Sequence, residues 1–192
     1  MKKTLILLSF LILGALPAFA QNNEVGFLAG GAKALKTAAG GKSEFQHGFE
    51  EISYGVQLEQ GTIFKLKVGR MDATTAFVTK DSNGKQIPDI VDPKGQVEYA
   101  DATIEYRFSE PFGYTGLFAG TGLYRQSGTG TNSKGVIASS QESDYGFVGG
   151  VNGLFPITRS LGITAEGAYH WVHFYSPKPR YGTVSVGLRF AF

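Results

Sequence analysis

Nine charged side chains fall on the polar faces of alternating segments: Glu51, Glu59, Lys65, Lys67, Asp101, Glu105, Arg107, Glu166 and Arg189. Five are acidic and four basic, and they share those faces with glycines and small polar residues. Buried together, such a set neutralises itself as an ion-pair network, because an isolated buried charge costs several kcal/mol. With pairs exchanging partners, the same set would line a narrow ion path. The spacing leaves both readings open and does not give the pairings. Glu105, Arg107, Glu166 and Arg189 are the core of the expected network.

Other chemistry is thinly represented. His47, His170 and His173 would hold a metal only if brought together with a carboxylate. His170 shares a face with Glu166, but residues i and i+4 of a strand stand about 13 Å apart. His170 and His173 are expected near one rim and His47 in a long connection, so no metal site is expected. The Gly-Thr-Gly stretches at 120–122 and 128–130 open no helix, so neither is a phosphate cradle, and no cofactor is implied. Asp81-Ser82-Asn83-Gly84 reads as a turn, with 75–80 and 85–90 as the arms of a small ribbon.

The segments that position these charges alternate with period two, so successive side chains face opposite sides of a strand. Ile52, Tyr54, Val56 and Leu58 oppose Glu51, Ser53, Gly55, Gln57 and Glu59. Phe64, Leu66 and Val68 oppose Lys65, Lys67 and Gly69. Ala100, Ala102, Ile104, Tyr106 and Phe108 oppose Asp101, Thr103, Glu105 and Arg107. Leu161, Ile163, Ala165, Tyr169 and Trp171 oppose Gly162, Thr164, Glu166, Ala168 and His170. Val184, Val186, Leu188, Phe190 and Phe192 oppose Thr183, Ser185, Gly187, Arg189 and Ala191. Segment 144–155 points Tyr145, Phe147, Val151 and Phe155 one way. Segment 24–33 is short and glycine-rich, and 115–126 has bulky residues of both parities, which leaves its faces unassigned.

These make eight strands of roughly 9–12 residues, close to a tilted bilayer crossing. Short connections near Gln60-Gly61, at 109–115 and at 156–160 alternate with long ones at 34–47, 71–96, 127–143 and 173–180. The pattern predicts an all-β fold, an eight-stranded antiparallel up-and-down transmembrane β-barrel. Its alternative is a soluble lipocalin-like barrel or sandwich, with the apolar face inside.

The N-terminus adds a compartment. Lys2 and Lys3, an apolar run from Leu5 to Leu16, then Ala18-Phe19-Ala20 form a signal peptide over 1–20, leaving one domain, 21–192. Lys2 and Lys3 belong to the 18 basic residues, so the chain from Gln21 carries 16 basic and 16 acidic residues. That balance offers no nucleic-acid footprint. Cysteine is absent, which excludes disulfides and lipidation at cysteine. Glycine, at 27 of 192, disfavours helices.

The signal peptide, the eight alternating strands and the ending Arg189-Phe190-Ala191-Phe192 resemble the small OmpA/OmpX-type outer-membrane β-barrels. The resemblance implies a Gram-negative outer membrane, both mature termini periplasmic, and contact with membrane lipid and lipopolysaccharide. It implies that Phe190 and Phe192 signal to the outer-membrane assembly machinery. Tyr54, Tyr106, Phe108, Tyr169 and Trp171 would form aromatic girdles, and Lys178 and Arg180 would meet lipopolysaccharide phosphates. The chain stops at the eighth strand, so no C-terminal periplasmic anchoring domain is expected. The family's functions diverge. The leading expectation is a structural or surface-interaction barrel, plugged inside, with external loops open to a surface ligand. A narrow pore is the alternative. A lipid A-modifying enzyme is the third reading, but the His-x-Ser spacing of a deacylase-like site is absent.

Overall fold

The computed structural model describes residues 23–36, 46–72, 90–132, 137–173 and 180–192. The expected signal segment, 1–20, and the ribbon expected over 75–90, except Ile90 at the start of a strand, lie outside the described residues. Eight strands follow in chain order: β1 (Asn23–Lys36), β2 (Gln46–Glu59), β3 (Thr62–Asp72) and β4 (Ile90–Glu110), then β5 (Gly113–Asn132), β6 (Ile137–Pro156), β7 (Leu161–Val172) and β8 (Arg180–Ala191). Each pairs antiparallel with its successor, and β8 pairs with β1 to close the barrel. Asn23 and Phe192 exchange backbone hydrogen bonds of 3.0 and 2.9 Å across that seam.

The register sets the shape. Trp171 pairs with Phe147, and the row continues through Thr121, Ala102, Leu66, Tyr54, Val25 and Phe190. It re-enters β7 at Leu161, ten residues from its start. Ten residues of stagger over eight strands spaced about 4.8 Å apart tilt the strands by about 40°.

The three short turns stand where expected, at one end with Asn23 and Phe192. Gly61 at φ 81° closes β2–β3, and Gly113 at φ 146° follows the β4–β5 turn, conformations open to glycine without strain. The opposite end differs from expectation. Much of what reads as loop is strand: β4 begins at Ile90, and Ser127–Thr131 pairs with Ile137–Gln141. β4, β5 and β6 therefore reach 21, 20 and 20 residues. Their Ser, Thr and Gly residues hide the pairing, because backbone hydrogen bonds need no apolar alternation.

The wall is apolar outside and polar within. Outward side chains are largely exposed, among them Leu123 at 71% and Val184 at 63%. Inward ones are buried, including Lys65 at 1% and Glu105 at 0%. β5, unassigned from sequence, turns Leu117 and Leu123 outward and Phe118, Tyr124 and Gln126 inward. A water-soluble barrel would reverse this arrangement. Inward glycines let a narrow tube close: a Cβ on Gly187 would strike the carbonyl of Phe27. On the outward Gly153 it would meet nothing nearer than 3.8 Å.

Candidate functional site

The lumen holds the concentrated chemistry, in layers. Nearest the turns, β1, β3, β4 and β8 bring together Glu24, Lys65, Glu105, Arg107 and Arg189. Arg107 donates to both carboxylate oxygens of Glu24 at 2.6 Å and to Glu105 at 2.5 Å. Lys65 pairs with Glu105 and lies 3.2 Å from Glu24. Arg189 lies 3.6 Å from Glu24 and 3.9 Å from Glu105. Asn152 donates to Glu105 at 2.6 Å, and Tyr114 stacks beneath the Arg107 guanidinium at 4.2 Å.

The middle layer centres on Lys67, 2.5 Å from Glu166 and 3.3 Å from Glu51. Its ammonium also stands 4.1 Å from the centre of the Phe118 ring. Tyr99 donates to Glu51 at 2.7 Å. In the next layer Tyr124 donates to Asp101 at 3.0 Å and lies 3.0 Å from His170 Nδ1. Thr183 Oγ1 lies 3.4 Å from His170 Nε2. Toward the loop end, Phe49, Met71, Val97, Val172 and Tyr181 form a buried apolar cap.

Eight of the nine expected charged residues thus reach the lumen, though not as one network. Asp101 sits in the tyrosine–histidine layer, 4.0 Å from His170 Nδ1. Glu59 shares the inward parity but lies exposed at the end of β2, outside every ion pair described. Glu24, absent from the expected set, is the acid that Lys65, Arg107 and Arg189 share. Its signal was the inward parity Glu24-x-Gly26-x-Leu28, masked by glycine. His170 is buried in the lumen rather than at the rim, because β7 continues to Val172. His173 stacks on Tyr145 at 5.1 Å, and the side chain of His47 lies outside the described residues.

The arrangement Thr183–His170–Tyr124–Asp101 has the order of a nucleophile, base and acid. All four are 3% exposed or less and lie under the apolar cap. Among the described residues, no three His, Asp or Glu side chains come together as a metal site.

On the outer wall, Tyr106 and Phe108 meet edge to face near the turns, and Trp171 packs 5.9 Å from Phe147 near the loop end. Tyr169 lies two residues below Trp171, and Tyr54 stands mid-wall between Ile52 and Val56. Phe190 and Phe192 point outward on β8, both exposed.

No family model matches the sequence, and no curated protein does. Solved structures do. Neisserial surface protein A aligns over 88% of this chain and 97% of its own, at 17% identity and a TM-score of 0.58. Ail, the attachment invasion locus protein of Yersinia pestis, aligns over 89% and 97%, at 12% identity and a TM-score of 0.55. A major outer membrane protein from Thermus thermophilus aligns over 91% and 100%, at 12% identity and a TM-score of 0.61. The chain has the fold of the small eight-stranded outer-membrane β-barrels.

Proposed function

We propose that this protein is a plugged outer-membrane barrel whose role is structural or surface-interacting. The observation that carries the reading is a contrast between the two ends of the tube. The lumen is filled by paired charges and capped by apolar side chains, while β4, β5 and β6 run on for 20 or 21 residues. A tilted crossing needs about 9–11. Among the described residues, the register of β4 and β6 to β3 and β7 ends at Asp72↔Gln96 and Gly146↔Val172, and β5 alone continues to pair with both. A three-stranded blade thus rises past the rim, with residues 90–95 and 137–145 along its two sides. Strand edges and loops of this kind are where partners add to a sheet.

In this reading the short turns and both termini face the periplasm, and the blade faces outward. Segment 1–20 is removed on export, and Phe190 and Phe192 serve assembly. The name of Ail, attachment invasion locus protein, is in keeping with a surface role for this chain.

The test is single-channel recording of the refolded mature chain in a planar bilayer. An inserted but silent protein is expected. Discrete, reproducible openings altered by Glu105→Gln or Arg189→Ala would overturn the plug in favour of a narrow pore.

A further inference from the structure

The layer of Asp101, Tyr124, His170 and Thr183 has a property that closing the lumen does not require. Tyr124 Oη lies 3.0 Å from Asp101 Oδ2 and 3.0 Å from His170 Nδ1, and His170 Nε2 lies 3.4 Å from Thr183 Oγ1. The four side chains, from β4, β5, β7 and β8, thus form one chain of hydrogen bonds. Tyr124 has one hydroxyl proton and two neighbours, so its choice sets the direction of the whole chain. When it donates to Asp101, His170 Nδ1–H donates to Tyr124 and Thr183 donates to Nε2. When it donates to His170 Nδ1, Asp101 supplies a proton to Tyr124 and His170 Nε2–H donates to Thr183. The two directions differ by one proton on Asp101 and by the tautomer of His170. The imidazole is packed against the rings of Tyr99 at 5.3 Å and Tyr124 at 5.9 Å, so its two nitrogens keep their places. The reversal moves protons and not the ring.

Charge decides where the proton rests. The lumen layers hold five carboxyl groups, Glu24, Glu51, Asp101, Glu105 and Glu166, against four cations, Lys65, Lys67, Arg107 and Arg189. One further proton makes the count even. Among the described residues, Asp101 is the lumen acid that no Lys or Arg pairs with. Lys67 stands opposite it on β3 but is held by Glu51 of β2 and Glu166 of β7. The other ionisable neighbours are phenols and one acid: Tyr99 on β4, Tyr181 opposite His170 on β8, and Asp144 opposite Tyr124 on β6. From β1 comes the apolar Leu28, opposite Glu51. Asp101 Oδ1 lies over Gly122, in the space a Cβ would take, and has no hydrogen-bond partner. A buried anion so placed is costly, and a neutral acid is less so. An imidazolium at His170 would also even the count. It would set a second ion 4.0 Å from Asp101 where the two side chains are 1% and 0% exposed. Two neutral groups joined through Tyr124 avoid both desolvation penalties.

We infer that Asp101 is a proton-binding site inside the barrel, filled and emptied through Tyr124, His170 and Thr183. A proton taken up at Thr183 Oγ1 sends the hydroxyl proton to His170 Nε2. The Nδ1 proton passes to Tyr124 Oη, and the Tyr124 proton passes to Asp101 Oδ2. Thr183, the imidazole and Tyr124 each end with one proton, as they began, and Asp101 gains one. The tautomer of His170 therefore reports whether Asp101 is filled. The inference uses the packing of the lumen alone and is independent of the proposed surface role and orientation.

The experiment is nitrogen NMR of the refolded mature chain in micelles, with histidine labelled by nitrogen-15. A His47→Gln/His173→Gln background leaves His170 as the one imidazole. The ring signals tell Nδ1–H, Nε2–H and imidazolium apart. Spectra run from about pH 4 to about pH 9, spanning the ordinary carboxyl and imidazole range. One transition is expected, from the Nε2–H tautomer on the acid side to Nδ1–H on the alkaline side, without imidazolium. Asp101→Asn and Tyr124→Phe each abolish the transition, and Glu59→Gln leaves it in place. Folding of each variant is checked by its heat-dependent gel mobility; if one of the two lumen variants does not fold, the other decides. An imidazolium at His170, a tautomer that stays the same across the range, or a transition that survives Asp101→Asn would each overturn the site. Channel openings would instead overturn the plug and leave a tautomer switch standing.

Discussion

At the scale of single residues, the lumen is a problem of charge balance among buried groups. Lys65 stands against both Glu24 and Glu105. Lys65→Met takes one of three cations from this layer and leaves Arg107 and Arg189 to balance Glu24 and Glu105, so the expected loss is that of its charge-assisted hydrogen bonding, about 1.5–3 kcal/mol. Urea unfolding in micelles measures that loss; an unchanged midpoint would contradict the pairing. Glu59→Gln, at the exposed end of β2, leaves the midpoint where it is. Tyr124→Phe takes the donor from Asp101 at 3.0 Å, an expected loss of about 1–3 kcal/mol in the same assay. The inward parity of Lys65, Lys67 and Glu105 was readable because each alternates with large apolar neighbours, and that of Glu166, between Ala165 and Gly167, from the larger Ile163 and Tyr169 of the opposite parity. Glu24 was not, because its neighbours Gly26 and Gly30 erase the contrast between faces. Partnerships were not readable at all: Lys67 and Glu166 lie 99 positions apart in sequence and meet only through the stagger of the closed sheet.

At the scale of strands, glycine placement governs curvature. Gly187→Ala drives a methyl into the Phe27 carbonyl across the β1–β8 seam, so refolding yield, read from gel mobility before and after heating, should collapse. Gly153→Ala faces outward with room for the methyl and should refold as the parent does. The same distinction explains what sequence conveyed about the strands. β2, β4, β7 and β8 announce themselves by apolar alternation in their wall portions. β5 does not, because Phe118 and Tyr124 fill the lumen while Leu117 and Leu123 face outward, so both parities are bulky. The far ends of β4 to β6 read as loop although they pair, because their pairing is carried by the backbone and needs no apolar alternation.

At the scale of the whole molecule, the inverted distribution of polarity identifies the medium around the wall, and it was visible in sequence once inside and outside could be told apart. Orientation is a separate matter with its own test. The chain has no cysteine, so Ser143→Cys places a single exposed thiol on the blade. A membrane-impermeant maleimide should label it in intact cells; labelling only after lysis would reverse the proposed orientation. The seam adds one consequence, in time rather than space. Asn23 and Phe192 clasp each other, so the first strand made waits for the last. Until β8 exists, β1 and β7 each present an open edge, which hydrocarbon does not tolerate and which in water invites aggregation. A chain ending at β7 is therefore not a smaller barrel but an unfinished one. The closed barrel therefore cannot form between synthesis and insertion until β8, Arg180–Ala191, has been made.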